Sequence, residues 1–276
     1  MLLSWRDEVC IALCPDRVIL ARVAGRWRPR VLAKEIVPCH EHDAADWKPC
    51  VAALVRALAD ARWKDADASV TLSNHFVRFA LVPWHAALAT DDEKLAWVRH
   101  HFVEIYGDAV ANARYRWSEE GPAEACLASA IDGEFVDQVR QAFEGSALRL
   151  RTIRPYLMSV FNRIGPRARG KDLWLIAPEP GHVCLGAIAQ GRWRGITSRH
   201  IGADWQTELR TLLDRELVIA GGTDAPQAVF AYAPQLPAFQ IPQWTKVPLH
   251  PLAPRALPGF SPYTDAEYAM ALTGRV

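Results

Sequence analysis

The sequence predicts an α/β protein made of two lobes built to one plan. An apolar strand over residues 9–13 turns at Cys14-Pro15-Asp16-Arg17 into a second strand over 18–24, passes Gly25-Arg26-Trp27-Arg28 and returns along 31–37. The same order recurs later, with a strand over 173–177, the turn Pro178-Glu179-Pro180-Gly181-His182, a strand over 183–189, the tetrapeptide Gly191-Arg192-Trp193-Arg194 and a return over 195–201. At 276 residues the chain is long enough for each half to bury a core of its own. A repeat of this length constrains the fold before any local propensity does. The competing reading is two unrelated hairpins that share a tetrapeptide by chance.

The elements between the meanders follow from periodicity and punctuation. Val51, Leu54, Val55 and Leu58 fall at helical spacing within 47–63 and predict one apolar stripe lying on the first meander. Short strands follow at 68–73 and 76–82, the second closed by Pro83-Trp84. Thr90 and Glu93 have capping-box spacing, so a helix starts there, with Leu95, Val98, Phe102 and Ile105 on one face as far as Gly107. Paired strands at 113–117 and 125–131 are joined by the turn Glu119-Glu120-Gly121-Pro122, and Phe135, Val136, Val139 and Phe143 define a further helix. A strand at 148–153 and a short helix carrying Leu157, Phe161 and Ile164 lead to the basic link Arg167-Ala168-Arg169-Gly170-Lys171, where the lobes divide. Lobe one is thus residues 1–165 with a small α+β subdomain inserted at about 74–131, and lobe two is 166–276.

Lobe two continues into a helix at 204–217, with Trp205, Leu209, Leu212 and Leu213 inward, and a strand at 228–233. Eight prolines in the 29 residues from Pro234 to Pro262 exclude helix and central strand, so this stretch should wrap the surface in extended form. A short helix at 265–272 closes the chain.

Composition narrows the function classes. Half the residues are hydrophobic and the net charge is +1, which argues against disorder and against a strongly basic or acidic partner. The first eight residues lack a basic region, an apolar core and a cleavage site, and no run approaches the roughly 20 apolar residues needed to cross a bilayer. A cytoplasmic protein with six free thiols is expected.

A three-strand meander followed by an amphipathic helix, used twice, resembles the opening of both lobes in the actin, sugar-kinase and heat-shock ATPase fold, the duplicated ribonuclease H-like architecture. Residues 70–83, the capped helix, 126–131, the 135–143 helix and 148–164 then run in the order seen in PilM. The ending Ala266-Glu267-Tyr268-Ala269-Met270-Ala271-Leu272 is similar to that family's closing helix. The chain therefore resembles PilM, the actin-like protein of type IV pilus assembly, with its relatives MshI and the cytoplasmic domain of the type II secretion L protein. The resemblance implies a scaffold under the inner membrane that holds the short cytoplasmic N-terminal peptide of a PilN-like bitopic protein, and so touches the membrane only through that partner. It places the peptide groove in the inserted subdomain, with Phe76, Arg78, Phe79, Val82 and Trp84 on its wall.

An actin-like nucleotide site needs an acidic residue on the first strand of each lobe and turns whose backbone amides approach the phosphates. Here the acidic positions fall near Ala12 and Ala177. Pro15 removes an amide from the first turn, and Pro178 and Pro180 remove two from the second. Both halves of the clamp are degenerate, so no catalytic residue and no cofactor is assigned. The alternative is an ATP- and magnesium-binding protein in which Asp16, Arg17, Glu179 and Gly181 form a substitute site. Gly221-Gly222 resembles an adenosine-loop pair but precedes a strand instead of following one, and reads as a turn.

The remaining clusters are weaker. Cys39-His40-Glu41-His42 lies on one segment, whereas a structural zinc site draws paired ligands from two, so no metal site is assigned. His100-His101 reads as a solvated helix face. Ser73-Asn74-His75 lacks a nucleophile elbow and an orienting carboxylate. The two Gly-Arg-Trp-Arg segments suit single-stranded nucleic acid in residue type, but near-neutral charge favours hairpin tips in which tryptophan covers a lobe edge.

Overall fold

The computed structural model describes residues 6–25, 27–40, 46–83, 88–118, 124–168, 171–221, 225–236, 244 and 246–275. In chain order, β1 (Glu8–Leu13), β2 (Arg17–Ala24) and β3 (Arg30–Pro38) precede α1 (Lys48–Leu58) and β4 (Asp67–Leu72). Then come β5 (Val77–Val82), α2 (Asp91–Tyr106), β6 (Ala113–Trp117), β7 (Cys126–Asp132), α3 (Gly133–Glu144), β8 (Arg149–Pro155) and α4 (Tyr156–Ala168). The second half holds β9 (Leu173–Glu179), β10 (His182–Ala189), β11 (Arg192–His200), α5 (Trp205–Ala220), β12 (Ala228–Ala231), β13 (Leu249–Pro251) and α6 (Ala269–Thr273).

The duplication is written in the strand order. One sheet runs β3-β2-β1-β4-β8 and another β11-β10-β9-β12-β13. In both, the meander is antiparallel and the two following strands are parallel to its first strand or to each other. The first strand lies centrally, so it reads as an apolar run: β1 is buried from Val9 to Leu13, and every residue of β9 is buried. β13 falls inside the proline-rich stretch, but it is three residues long and at a sheet edge, where a missing amide is tolerated.

The chain forms two compact units that do not follow a single cut. One comprises 1–76, 134–163 and 253–276; the other comprises 77–133 and 164–252. The inserted subdomain therefore groups with the second sheet, and the C-terminal segment groups with the first. In the first unit α6 packs on β1, β2 and β4, with Met270 and Ala269 fully buried. Asn74, also fully buried, accepts the amide of Leu157 at the start of α4 through Oδ1 (3.0 Å), which gives the Ser73-Asn74-His75 segment a structural task.

Within the second unit the insert is a three-stranded sheet, β5-β7-β6, with α2 on one face. The Thr90–Glu93 capping box forms as expected: Glu93 N donates to Thr90 Oγ1 (3.2 Å) and Glu93 Oε2 accepts Thr90 N (2.9 Å). Val98 and Phe102 face inward, whereas Leu95 and Ile105 are exposed. On α1, likewise, Val51, Leu54 and Leu58 are buried and Val55 is not, the small residues Cys50, Ala53 and Ala57 filling the face instead.

The repeated tetrapeptide is where the two meanders part. β10 and β11 are joined by Gln190-Gly191, both at positive φ (54° and 79°), a two-residue type I′ turn that puts Arg192 opposite Ala189 and Trp193 opposite Ile188. In the first unit Ala24 pairs with Arg30, so Gly25 to Pro29 form a five-residue loop. Pro29 has no amide for the ladder, and pairing resumes only beyond it. Each hairpin has a register shift two pairs from its tip, and at that landmark Val31, not Trp27, holds the place of Trp193. Trp193 is 3 % exposed and Trp27 is 91 % exposed. The expectation that both tryptophans cover a lobe edge holds for Trp193 alone.

Candidate functional site

The first turn of each unit is where an actin-like site would grip phosphate, and each is closed by its own backbone. Cys14 N donates to Arg17 O (3.0 Å), Pro15 has no amide, and Asp16 O accepts Cys39 N (2.8 Å). Asp16 is half-exposed and pairs with Arg17 at 3.5 Å, so the carboxylate proposed as a substitute ligand already faces a cation within its own turn. Behind the turn sit three buried thiols: Cys39 Sγ lies 4.0 Å from Cys14 O, and Cys14 Sγ 3.5 Å from Met270 Sδ. A hydrogen bond from Cys50 holds the Cys39 thiol below its ordinary range, while the same bond and burial push Cys50 up. Ala12 is fully buried beside Thr71, its partner in the β1–β4 register.

In the second unit the strand runs on through Pro178 to Glu179, so the turn is only Pro180-Gly181, proline followed by glycine at φ 80°. That is type II turn chemistry. Gly181 O accepts Ile201 N (3.1 Å), which occupies the carbonyl at the tip. Glu179, read from sequence as a turn residue, is the last residue of the strand and only 3 % exposed. It stands opposite His182 in the β9–β10 register. Beyond it, Ser198 Oγ and His182 Nε2 are 3.2 Å apart, and Cys184 Sγ is 3.5 Å from Ser198 Oγ. Burial pushes the Cys184 thiol far up, so it is inert as a nucleophile. The Glu179-His182-Ser198 seam is the polar feature the sequence reading missed; the signal was available, since alternation along β9, β10 and β11 puts these side chains on one face.

Of the four peptide-groove residues that the structure describes, two present surface. Phe76 is half-buried and meets Phe135 edge-on at 5.0 Å, Phe135 being stacked in turn by Trp47. Arg78 is exposed. Phe79 and Val82 are corrected: Phe79 is 3 % exposed, and Val82 is fully buried beneath α2 with Val98 and Phe102. The reason is that both faces of β5 are covered, one by α2 and the other within the unit. Trp84 lies outside the described residues, as do Glu41, His42, Gly222 and the 119–123 turn. The edges of this sheet are β5, which lies beside β11, and β6, whose Arg114 and Arg116 are exposed.

His100 sits on the solvated face of α2, 3.3 Å from Glu104. Among the described residues no group of three His, Cys, Asp or Glu side chains converges as a metal site, and no helix is long and apolar enough to cross a membrane. A cavity of about 630 Å³ opens between the β9–β11 sheet and the end of α5, with Trp174, Leu185, Thr197, Glu216 and Ile219 on its walls. Glu216 is already engaged there by Thr197 (3.3 Å) and Arg215 (2.8 Å).

The architecture is shared with solved proteins. The chain is similar to a chain of the PilM–PilN type IV pilus biogenesis complex, with a TM-score of 0.72 at 14 % identity over 98 % of both chains. It is also similar to the cytoplasmic domain of EpsL, an inner-membrane component of the type II secretion system of Vibrio cholerae, with a TM-score of 0.62 at 8 % identity over 97 % of this chain and 94 % of that one. A third likeness is to a Bacteroides thetaiotaomicron protein of actin-like ATPase fold and unknown function, with a TM-score of 0.54 at 10 % identity over 83 % and 82 %. No protein-family model and no curated protein matches the sequence. The fold of this chain is the actin-like fold, shared with these solved structures.

Proposed function

We propose that this chain is a non-catalytic scaffold of a type IV pilus or type II secretion-like inner-membrane platform, and that it holds the N-terminal cytoplasmic peptide of a PilN-like bitopic protein. The observation that carries the reading is likeness over the full length, inserted sheet included, to a chain of a PilM–PilN complex. A scaffold also suits two phosphate turns in which proline replaces a backbone amide. The peptide adds to the inserted sheet as a further strand, since strand addition uses main-chain bonds that an edge offers ready-made. β6 is the edge available for it, with β5 lying beside β11.

The test is calorimetric titration of the purified protein with a synthetic N-terminal peptide of the bitopic protein from the same assembly, followed by hydrogen exchange. Saturable binding with new amide protection confined to β5, β6 and β7 is the expected result. Absence of binding, or protection elsewhere, overturns the assignment. Binding of magnesium-ATP at micromolar concentration in the same titration would favour the substitute nucleotide site at Asp16, Arg17, Glu179 and Gly181.

A further inference from the structure

The two copies of Gly-Arg-Trp-Arg differ in what their side chains touch. In the second unit every group has a partner within the fold. Trp193 lies on Gly186, so close that a Cβ there would sit 2.3 Å from its Cζ3, and Arg192 and Arg194 both pair with Glu124. In the first unit Trp27 is 91 % exposed, Arg28 and Arg30 are exposed, and among the described residues neither arginine side chain meets a carboxylate. The loop is nevertheless held at its base: Arg275 Nη2 donates to Gly25 O (3.0 Å), and Val31 N donates to Pro258 O (2.7 Å). Leu32, near the start of β3, is 49 % exposed.

A protruding indole beside two guanidinium groups that meet no carboxylate among the described residues is the chemistry of a bilayer interface, where tryptophan sits at headgroup level and arginine meets anionic lipid. We propose that the exposed side chains of Trp27, Arg28 and Arg30 form a membrane-contact tip that inserts Trp27 among the headgroups of an anionic phospholipid surface, with Arg28 and Arg30 bonded to lipid phosphates. The near-neutral chain, at +1, favours a bilayer over a nucleic acid, which would need a basic track along the surface. Such a tip is a weak anchor by itself. It is independent of the peptide reading, because the contact belongs to this chain alone.

The experiment is co-sedimentation of the full chain, without any peptide, with vesicles of phosphatidylcholine plus phosphatidylglycerol and with vesicles of phosphatidylcholine alone, at low ionic strength. Binding only to the anionic vesicles is expected. Trp27→Ala should weaken it about tenfold, and the Arg28→Ala/Arg30→Ala double variant about thirtyfold, both with an unchanged melting temperature. Equal binding by wild type and variants, or no preference for anionic vesicles, overturns the proposal. So does the finding that the same variants abolish binding to a single-stranded oligonucleotide or a concentration-dependent self-association while vesicle binding is absent.

Discussion

The β2–β3 and β10–β11 hairpins begin as the same strand pair and end as opposites. Both leave a central strand and carry a register shift two pairs from the tip. One closes in two residues and folds its tryptophan inward; the other needs five and points its tryptophan outward. The difference traces to two residues. Gly186 leaves room for an indole where the first unit has Ala21 at the corresponding register, and Pro29 stands where the second unit has Gly195 after the tetrapeptide. Identical local sequence therefore adopts whichever structure its sheet partner and its following residue allow. The bracing differs as well. Glu124 from the inserted subdomain holds the arginines of β11, whereas β3 is held by the C-terminal segment through Pro258 and through Lys34–Asp265 at 2.7 Å.

The sharpest break of this comparison is to remove each tryptophan. Trp193→Ala should destabilise by about 3–5 kcal/mol, as expected for a large core aromatic, whereas Trp27→Ala should change stability by less than about 0.5 kcal/mol. Urea titration of both variants checks the pair, and equal losses would refute the inequivalence of the two copies. Next, Gly186→Ala should cost about 1–3 kcal/mol, because the added methyl displaces a packed ring. Its signature is a red shift in tryptophan emission as Trp193 becomes wetted.

Smaller effects sharpen the bracing. Glu124→Ala should cost no more than about 1 kcal/mol, since both arginines it pairs with are near the surface, with thermal melting as the readout. In the first unit, the Lys34 ammonium and the Ser261 amide hold the Asp265 carboxyl below the usual carboxylate range. A depressed folded value means that this contribution is complete above the unfolded pKa, near about 3.9, and is lost as pH falls through the folded one. Asp265→Asn should therefore lower the melting temperature at neutral pH and flatten its fall below about pH 4.

Much of the fold was legible because it depended on periodicity. Both meanders, the Thr90–Glu93 box, the Phe135–Val136–Val139–Phe143 face of α3 and the Leu209–Leu212–Leu213 face of α5 are written as residue spacing, and the structure places them so. What sequence could not settle depended on tertiary neighbours. Phe79 and Val82 look the same in sequence whether β5 is open on one face or covered on both, and here it is covered. Glu179 looked like a loop residue because two prolines flank it, yet Pro178 is accommodated in the strand opposite Val183 and the carboxylate is carried inside. The Ser198–His182 contact joins residues 16 apart whose proximity exists only through the β10–β11 register.

The proposed scaffold is an actin-like protein in which neither phosphate turn binds nucleotide, and thermal unfolding with and without saturating magnesium-ATP tests that proposal most directly. The expected result is an unchanged melting temperature, since a ligand raises stability only by binding the folded state. A rise of the size that follows from ligand at a hundred times its Kd, about 2.7 kcal/mol, would contradict it.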